Sequence, residues 1–333
     1  MKVGVNGFGR IGRLCLRALL RRHPQVEVAA VNDLASPAQL AYLFRFDTNY
    51  GPWPGDVTAG DDYIEIDGRR IAVVAESEPA SIPWRDFGVG LVLECTGRLT
   101  DARRAAAHLE GGAEKVIISA PARNEDITVV LGVNDGRYDP REHRIISNAS
   151  CTTNGLAPMV HVLHHAFGLQ RGFMTTVHAY TNSQGLHDTI RSDMREGRAG
   201  AENLVPATTG AARAIGRVLP ELQGRLDGMA IRAPVPCVSI VDLVATYERA
   251  VSPGDLNAVL AEAAAGPLQG ILGFSTEPLV SSDLRGDPRS SVVDAASTMG
   301  ADHMGKTLAW YDNEWGYSCR LGDLATFLLE KGW

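Results

Sequence analysis

The sequence has no apolar run near the roughly 18 residues that a membrane span requires, so no membrane partner is expected. It also lacks positive charge in excess. The formal net charge is −7 over 333 residues, and without a basic face nucleic acid is not expected as a partner. Repeats and low-complexity segments are missing as well. Cysteine is sparse and its pattern is uninformative for pairing: Cys15, Cys95, Cys151, Cys237 and Cys319 form an odd set with wide spacings and no C-x-x-C. That argues against a disulfide framework or a zinc site and suits a reducing compartment. No signal-peptide pattern precedes the strand-like "KVGVNG", so a soluble, cytoplasmic protein is the expectation. What the chain does have is an ordinary globular composition, 45% hydrophobic and 21% charged, and a length that calls for two domains.

The order of hydrophobic patterns gives the organisation. "KVGVNGFGRIG" reads as strand, glycine turn and helix start, with the helix "RIGRLCLRALLRR" stopped by Pro24. Strands follow at "VEVAAVND", "RRIAVVA", "VGLVLECTG", "KVIISAP", "TVVLGVN" and "RIISNAS", with a helix at "DARRAAAHLEGG". Strands alternating with helices imply a parallel, doubly wound α/β sheet. After Cys151 the pattern changes. A helix "TNGLAPMVHVLHHAFG" leads to longer strands, "GFMTTVHAYT", "GMAIRAPVPCVSIVDLVATYER" and "TLAWYDN", read as a second, mostly antiparallel sheet. "YSCRLGDLATFLLEKGW" is an amphipathic closing helix.

Two constellations carry chemistry. The first is Gly7-x-Gly9-x-x-Gly12 between strand and helix, with Asp33 ending the second strand about 20 residues further on. Gly7 allows the tight turn, Gly9 lets the backbone approach a pyrophosphate, and Gly12 lets helix and strand pack closely. Free N–H groups at the helix start would hold the anion. Asp33 would accept from a ribose and repel a 2′-phosphate, which favours NAD over NADP. The second is Cys151 in "SNASCTTNG". Four cysteines lie among apolar neighbours and read as small buried hydrophobes. Cys151 alone has a polar setting, at the start of a helix whose terminus would lower a thiol pKa. His178, at the end of "GFMTTVH", is a candidate base for it, or a structural histidine.

These stretches, together with "VGVNGFGRIGR", "TTVHAYTN", "PATTGAARAIG", "LPEL", "GMAIRAPVP", "GPLQGILG", "VSSD" and "WYDNEWGYS", run the whole length of the chain in order. Over that length it resembles the bacterial-like, phosphorylating glyceraldehyde-3-phosphate dehydrogenases. The resemblance implies a Rossmann-type NAD-binding domain over residues 1–150, onto which a helix at 317–333 packs back, and an α+β catalytic domain over 151–316. It implies a homotetramer that uses NAD, an aldehyde phosphate and inorganic phosphate in glycolysis or gluconeogenesis. Cys151 would form a thioester, with His178 as its base. Ser150, Thr152, Thr209 and Gly210 would hold the attacking phosphate. Thr181, Arg232 and Arg195 would serve the substrate phosphate. For NAD, Gly7, Gly9, Arg10 and Ile11 would face the pyrophosphate, and Asn32 and Asp33 the adenosine ribose. Ser77 would lie at adenine, where the family usually has a basic residue, and Thr96 and Ser119 at the crevice. Asn313 and Tyr317 would lie near nicotinamide.

The chain departs from the family in places. Gly155 replaces the second cysteine of the usual "CTTNC". Arg195-Glu196 stands where relatives carry two basic residues, so either side chain could take the phosphate position. Ile190 replaces a proline common in NAD-dependent relatives, which leaves cofactor choice slightly open. Two alternatives stand beside the plain triose reading, an erythrose-4-phosphate dehydrogenase and, from Gly155 and the Arg195-Glu196 loop, an inhibitor-tolerant isoenzyme of the same triose activity. A cysteine acyltransferase or hydrolase without redox chemistry, or a non-catalytic NAD-binding regulator, fits the residues less well. Residues 300–307 match the P-loop expression by letter, but a strand follows and Asp302 would oppose a phosphate. His161, His164 and His165 share a helix without an adjacent carboxylate base, and no metal is expected. Asn148-Ala149-Ser150 matches a glycosylation acceptor in a chain not expected to be secreted.

Overall fold

The computed structural model describes residues 2–332. The chain divides into two compact units. One comprises Met1–Val129, Arg137–Ala149 and Ser318–Trp333, the other Val130–Gly136 and Ser150–Tyr317.

The first unit runs β1 (Lys2–Asn6), α1 (Arg10–Arg22), β2 (Glu27–Asn32), α2 (Pro37–Arg45), β3 (Val57–Ala59), β4 (Tyr63–Ile66), β5 (Arg69–Val74), β6 (Val89–Glu94), α3 (Ala102–Ala105), α4 (Ala107–Glu110), β7 (Lys115–Ile118), β8 (Ile127–Thr128) and β9 (Ile145–Ser147). Its sheet has the order β3-β4-β5-β2-β1-β6-β7-β9-β8. From β5 to β8 every neighbouring pair is parallel, and β3 and β4 add an antiparallel edge. β6 is buried along its whole length, as a strand covered on both faces must be. β1 and β6 are neighbours at the point where the strand order turns, and their carboxyl ends, Asn6 and Glu94, open the crevice where such sheets bind ligands.

The second unit contains α5 (Cys151–Phe167), β10 (Leu169–Ala179), β11 (Val205–Thr208), α6 (Ala211–Val218), β12 (Leu226–Ala233), β13 (Ser239–Tyr247), α7 (Pro253–Ala265), β14 (Leu272–Ser275), β15 (Ser291–Ala301) and β16 (Met304–Tyr311). The last helix, α8 (Trp315–Lys331), begins here and belongs to the first unit from Ser318 onward. The sheet order is β11-β12-β10-β13-β16-β15-β14. β10/β12 and β14/β15 are parallel, and the other four pairs are antiparallel. Residues alternate between faces: Met174 and Leu243 pair on the buried side, Phe173 and Val244 on the exposed side.

The fold is the α/β arrangement the sequence implies, with local corrections. "TVVLGVN" pairs only at Ile127–Thr128. Beyond it Asn134 accepts from the Val130 N–H and Asp135 from the Gly132 N–H, so side chains close a turn where a strand was expected. "DARRAAAHLEGG" splits into α3 and α4. The long strand expected from "GMAIRAPVPCVSIVDLVATYER" is two, β12 and β13, because Pro234 and Pro236 cannot donate to a ladder. Among the described residues no helix is long and apolar enough to cross a membrane.

Candidate functional sites

In the first unit the glycine turn leads from β1 into α1. Gly7 has φ +88°, and a Cβ on Gly12 would stand 2.1 Å from the Gly7 carbonyl oxygen, so neither position admits a side chain without a shift. The N-cap of α1 is Gly9, with no side-chain capping bond. No side chain caps this helix start, as an anion-binding terminus requires, and nothing lies within 4 Å of where a Gly9 Cβ would point. A cleft of about 500 Å³ opens beside this turn, lined among others by Asn6, Gly7, Gly9, Asn32, Asp33 and Thr96. Each oxygen of Asp33 takes one backbone donor, Phe8 N at 2.7 Å and Ala35 N at 3.1 Å, which leaves acceptor capacity for a ribose diol. A glycine cradle, an uncapped helix start and a carboxylate at the second strand end together fit an adenine dinucleotide.

Other expected cofactor residues sit differently. Ser77 lines the cleft. Asn32 lines it too, but its amide is committed to Asn6 and to the Glu76 backbone. Arg10 and Ile11 open α1, and the Arg10 guanidinium is paired with Asp47 at 2.8 Å. Ser119 follows β7, its N–H bonded to the Glu94 carbonyl, and is not among the residues lining the cleft. Cys95 departs from the buried reading: it is half-buried on the cleft wall, and burial, then Glu94, pushes its thiol up to about 12. Cys15, Cys237 and Cys319 are buried as expected.

In the second unit Ser150 caps α5 by accepting from the Thr153 N–H, so Cys151 is the first helical residue. Its Sγ lies 3.6 Å from Nε2 of His178, which is 4% exposed near the end of β10. His178 Nδ1 is 2.7 Å from the Ala179 carbonyl oxygen. A carbonyl can only accept, so Nδ1 carries the ring proton and Nε2 is a bare acceptor facing the sulfur. Burial, then the charge of Arg232, brings His178 down to about 4. Burial raises the Cys151 thiol, against the helix-start expectation. Thr152, Arg232 and the N–H groups of Cys151 and Thr152 pull the other way but do not outweigh it. Burial thus disfavours the charged form of both partners, while Nε2 is already aimed at the sulfur.

Arg232 stands directly opposite His178 in the β10/β12 register, and its Nε is buried without a hydrogen-bond partner. Tyr311 was not singled out in the sequence. Its hydroxyl is 2.8 Å from both Thr152 Oγ1 and Thr176 Oγ1, tying α5 to β10, and its ring meets that of His178 edge-on at 5.9 Å. Thr152 thus spends its hydroxyl on Tyr311. At Gly155 a Cβ would meet Tyr311 ring atoms at 3.1–3.3 Å, so the tyrosine fills the space beside the missing second cysteine. The Ala179 N–H donates to Ser239 Oγ, and Ser239 donates to Asn313 Oδ1. That relay fixes the Asn313 amide with its NH2 as the outward donor. Tyr317 is buried two residues into α8.

A second cleft, of about 460 Å³, is lined by Arg195, Thr208, Thr209 and Arg213 among others, and by neither Cys151 nor His178. Arg195 lines it and Glu196 does not, which favours Arg195 of the two. Gly210 is the N-cap of α6, and Thr153 Oγ1 donates to the Ala211 carbonyl at 3.4 Å, bringing the starts of α5 and α6 together. Thr181 lies in the turn after β10, its hydroxyl against Ser183. Residues 300–307 form a β15–β16 hairpin, not a phosphate loop. On α5 the His165 ring meets His161 at a tilt and His164 edge-on, and no cluster suited to a metal occurs among the described residues. Asn148 is buried, unsuited to glycosylation.

A doubly wound dinucleotide unit and a second unit carrying a cysteine with its base define a dinucleotide-binding protein with a thiol centre. Comparison makes this particular. Residues 1–102 match the glyceraldehyde 3-phosphate dehydrogenase NAD binding domain, and residues 150–313 the C-terminal domain of the same proteins. The chain is 53% identical to glyceraldehyde-3-phosphate dehydrogenase of Geobacillus stearothermophilus, covering 100% of this chain and 99% of that one. It is 52% identical to glyceraldehyde-3-phosphate dehydrogenase 1 of Bacillus subtilis, with the same coverage, and to glyceraldehyde-3-phosphate dehydrogenase 2 of Streptomyces arenae over 98% of each. The chain belongs to the glyceraldehyde-3-phosphate dehydrogenase family, and its cofactor is NAD. Neither the erythrose-4-phosphate alternative nor the inhibitor-tolerant isoenzyme is favoured by these relatives.

Proposed function

We propose that the chain catalyses the NAD-dependent oxidative phosphorylation of D-glyceraldehyde 3-phosphate to 1,3-bisphosphoglycerate through a thioester on Cys151. The observation that carries this is the acceptor-only Nε2 of His178, 3.6 Å from the thiol. The Cys151 proton passes to Nε2 as sulfur attacks the aldehyde carbon. The imidazolium returns that proton to the new oxyanion, giving a hemithioacetal, and the neutral ring then takes the hydroxyl proton as the carbon is oxidised. NAD, when bound, accepts the hydride released in that oxidation. A thioester remains on Cys151, inorganic phosphate attacks its carbonyl, and the thiolate leaves.

The anion sites follow from chemistry. Arg232, with an unpartnered Nε, and Thr181 serve the substrate phosphate. Ser150, Thr209 and Gly210, at the adjoining helix starts, serve the attacking phosphate, with Thr152 contributing its backbone N–H; Arg195, expected at the substrate phosphate, is assigned here instead because it lines one cleft with Thr209. Asp33 and the Gly7–Gly9 turn hold the adenosine half of the cofactor, and the Asn313 NH2 is the donor suited to the nicotinamide carboxamide.

A homotetramer in the cytoplasm is part of the same reading. Phe173, Val177, Met229, Val244, Met299 and Met304 all fall on one exposed face of the second sheet by register, with Phe173 75% exposed, an apolar surface that a second copy would cover. All five cysteines are free thiols, which suits a reducing compartment. The test of the activity is NADH formation with glyceraldehyde 3-phosphate, with and without inorganic phosphate. Turnover that does not need phosphate contradicts the acyl-phosphate step, and faster turnover of erythrose 4-phosphate displaces the triose reading.

A further inference from the structure

Glu94 ends β6 and is 1% exposed. Four donors converge on its carboxylate. Asn6 Nδ2 at 2.6 Å and His108 Nε2 at 3.0 Å reach Oε2, while the Thr96 N–H at 2.8 Å and the Thr96 hydroxyl reach Oε1. Every bond in this group has a fixed direction. The indole of Trp84 can only donate, and its Nε1 is 3.1 Å from His108 Nδ1. Nδ1 is therefore the bare acceptor, and the ring proton sits on Nε2, aimed at Glu94. Asn6 cannot reverse its amide, because its Oδ1 accepts from Asn32 Nδ2 at 2.8 Å. Asn32 cannot reverse either, since its Oδ1 accepts from the Glu76 N–H at 2.8 Å while Nδ2 donates to the Glu76 carbonyl at 2.9 Å.

Three segments that line the dinucleotide cleft hang from this one carboxylate. The glycine turn is held through Asn6 and through Gly7 N, bonded to the Asn32 carbonyl at 2.8 Å. The segment 76–78 is held through Asn32 and Glu76. The segment 96–98 is held through Thr96, whose Oγ1 also accepts from the Arg98 N–H at 3.0 Å. Thr96 N and Cγ2 lie 2.7 and 2.8 Å from where a Cβ on Gly7 would stand, so a displaced Thr96 disturbs the turn directly. Glu94 itself is not among the residues lining the cleft.

We infer that Glu94 is a positioning residue for the dinucleotide, with Asn6, His108 and Trp84 fixing the direction of its hydrogen bonds. The inference rests on the reading of this cleft as the NAD site. Glu94→Gln preserves shape but turns one acceptor into a donor. On either side the new NH2 meets a fixed donor, the Thr96 backbone N–H on one and Asn6 with His108 on the other. His108 cannot switch tautomer to accommodate it while Trp84 donates to Nδ1. Removing that indole with Trp84→Phe frees the switch, so His108 can then accept from the introduced amide.

The experiment is calorimetric titration of cofactor-free protein with NAD, alongside the rate at which iodoacetamide alkylates Cys151 without cofactor. Glu94→Gln is expected to weaken NAD binding by about tenfold or more while the alkylation rate stays unchanged, since the loss is confined to donors facing donors in the first unit. Adding Trp84→Phe to Glu94→Gln is expected to restore part of the affinity, whereas two merely destabilising substitutions would compound. Unchanged NAD affinity in Glu94→Gln, or further weakening in the double variant, overturns the inference. If Glu94→Gln does not fold, Thr96→Val, which deletes one of the four donors, takes its place, and NAD affinity equal to wild type overturns the inference there. Wild-type protein that takes up no NAD brings down the cofactor reading first, and this inference with it.

Discussion

Replacing Arg232 with methionine separates two duties that the structure lays on one guanidinium. Arg232 faces His178 across the β10/β12 register, and its charge lowers both the Cys151 thiol and the His178 imidazole. Its Nε is buried with no partner in the protein, a donor held for an anion. Arg232→Met keeps an aliphatic stem of similar length and removes the charge and donors. A hydrogen bond to a charged group contributes about 1.5–3 kcal/mol, so kcat/KM for glyceraldehyde 3-phosphate should fall roughly 10- to 150-fold. Unphosphorylated glyceraldehyde has no phosphate to lose. Its kcat/KM should fall only by what the thiol loses, because without the nearby cation both the thiol and the imidazole titrate higher. The assay is steady-state NADH formation with each aldehyde at fixed phosphate and pH. Equal losses for the two substrates would refute the phosphate role and leave Arg232 as a tuner of the thiol alone.

Two further perturbations follow from the first unit. Gly12→Ala drives a Cβ against the Gly7 carbonyl oxygen, 2.1 Å away, so α1 must shift off the turn. NAD affinity should drop by roughly 5- to 150-fold as overpacking of about 1–3 kcal/mol is relieved at the anion site, and wild-type affinity by calorimetry would contradict it. Asp323→Asn removes the carboxylate that bonds His23 at 2.6 Å and also meets Arg22 and the buried Arg320. Desolvation raises the Asp323 pKa, but the His23 hydrogen bond and the Arg320 and Arg22 charges together bring it below its ordinary value. A depressed carboxylate stabilises the fold above its unfolded pKa of about 3.9, and the benefit disappears as pH falls through the lower folded value. The variant should therefore be less stable to denaturant than wild type from pH 5 to 8, with the gap narrowing as pH falls below about 4. A gap that stays constant into acid would contradict the assignment.

Much of the architecture was legible because its signals are local. The glycine turn followed by Asp33 declares the dinucleotide crevice, and the strand–helix alternation around it declares the parallel sheet. The edge strands β3 and β4 escaped notice while β5 was expected, although Asp67-Gly68 between β4 and β5 is a hairpin signal by itself. The prolines inside "APVPC" marked a break that the surrounding hydrophobic run obscured. At the thiol, sequence gave the residues but not their balance. The helix start argued for a lowered Cys151, and only burial of the Sγ, a tertiary fact, shows that desolvation outweighs it. Tyr311 and Glu94 were illegible for the same reason. Each takes its meaning from partners far away in the chain, Thr152 and Thr176 for the one, Asn6 and His108 for the other. A polar residue closing an apolar strand, as Asn6 and Glu94 both do, was the one available hint.

The central claim is the covalent intermediate on Cys151, and a single-turnover measurement reaches it directly. Protein mixed with glyceraldehyde 3-phosphate and excess NAD, without inorganic phosphate, should release a burst of about one NADH per chain and then stop, with the acyl group recovered on Cys151 after quenching. Adding phosphate should restart turnover, and Cys151→Ser should show no burst. A burst that survives in Cys151→Ser, or steady NADH formation without phosphate, would contradict the account.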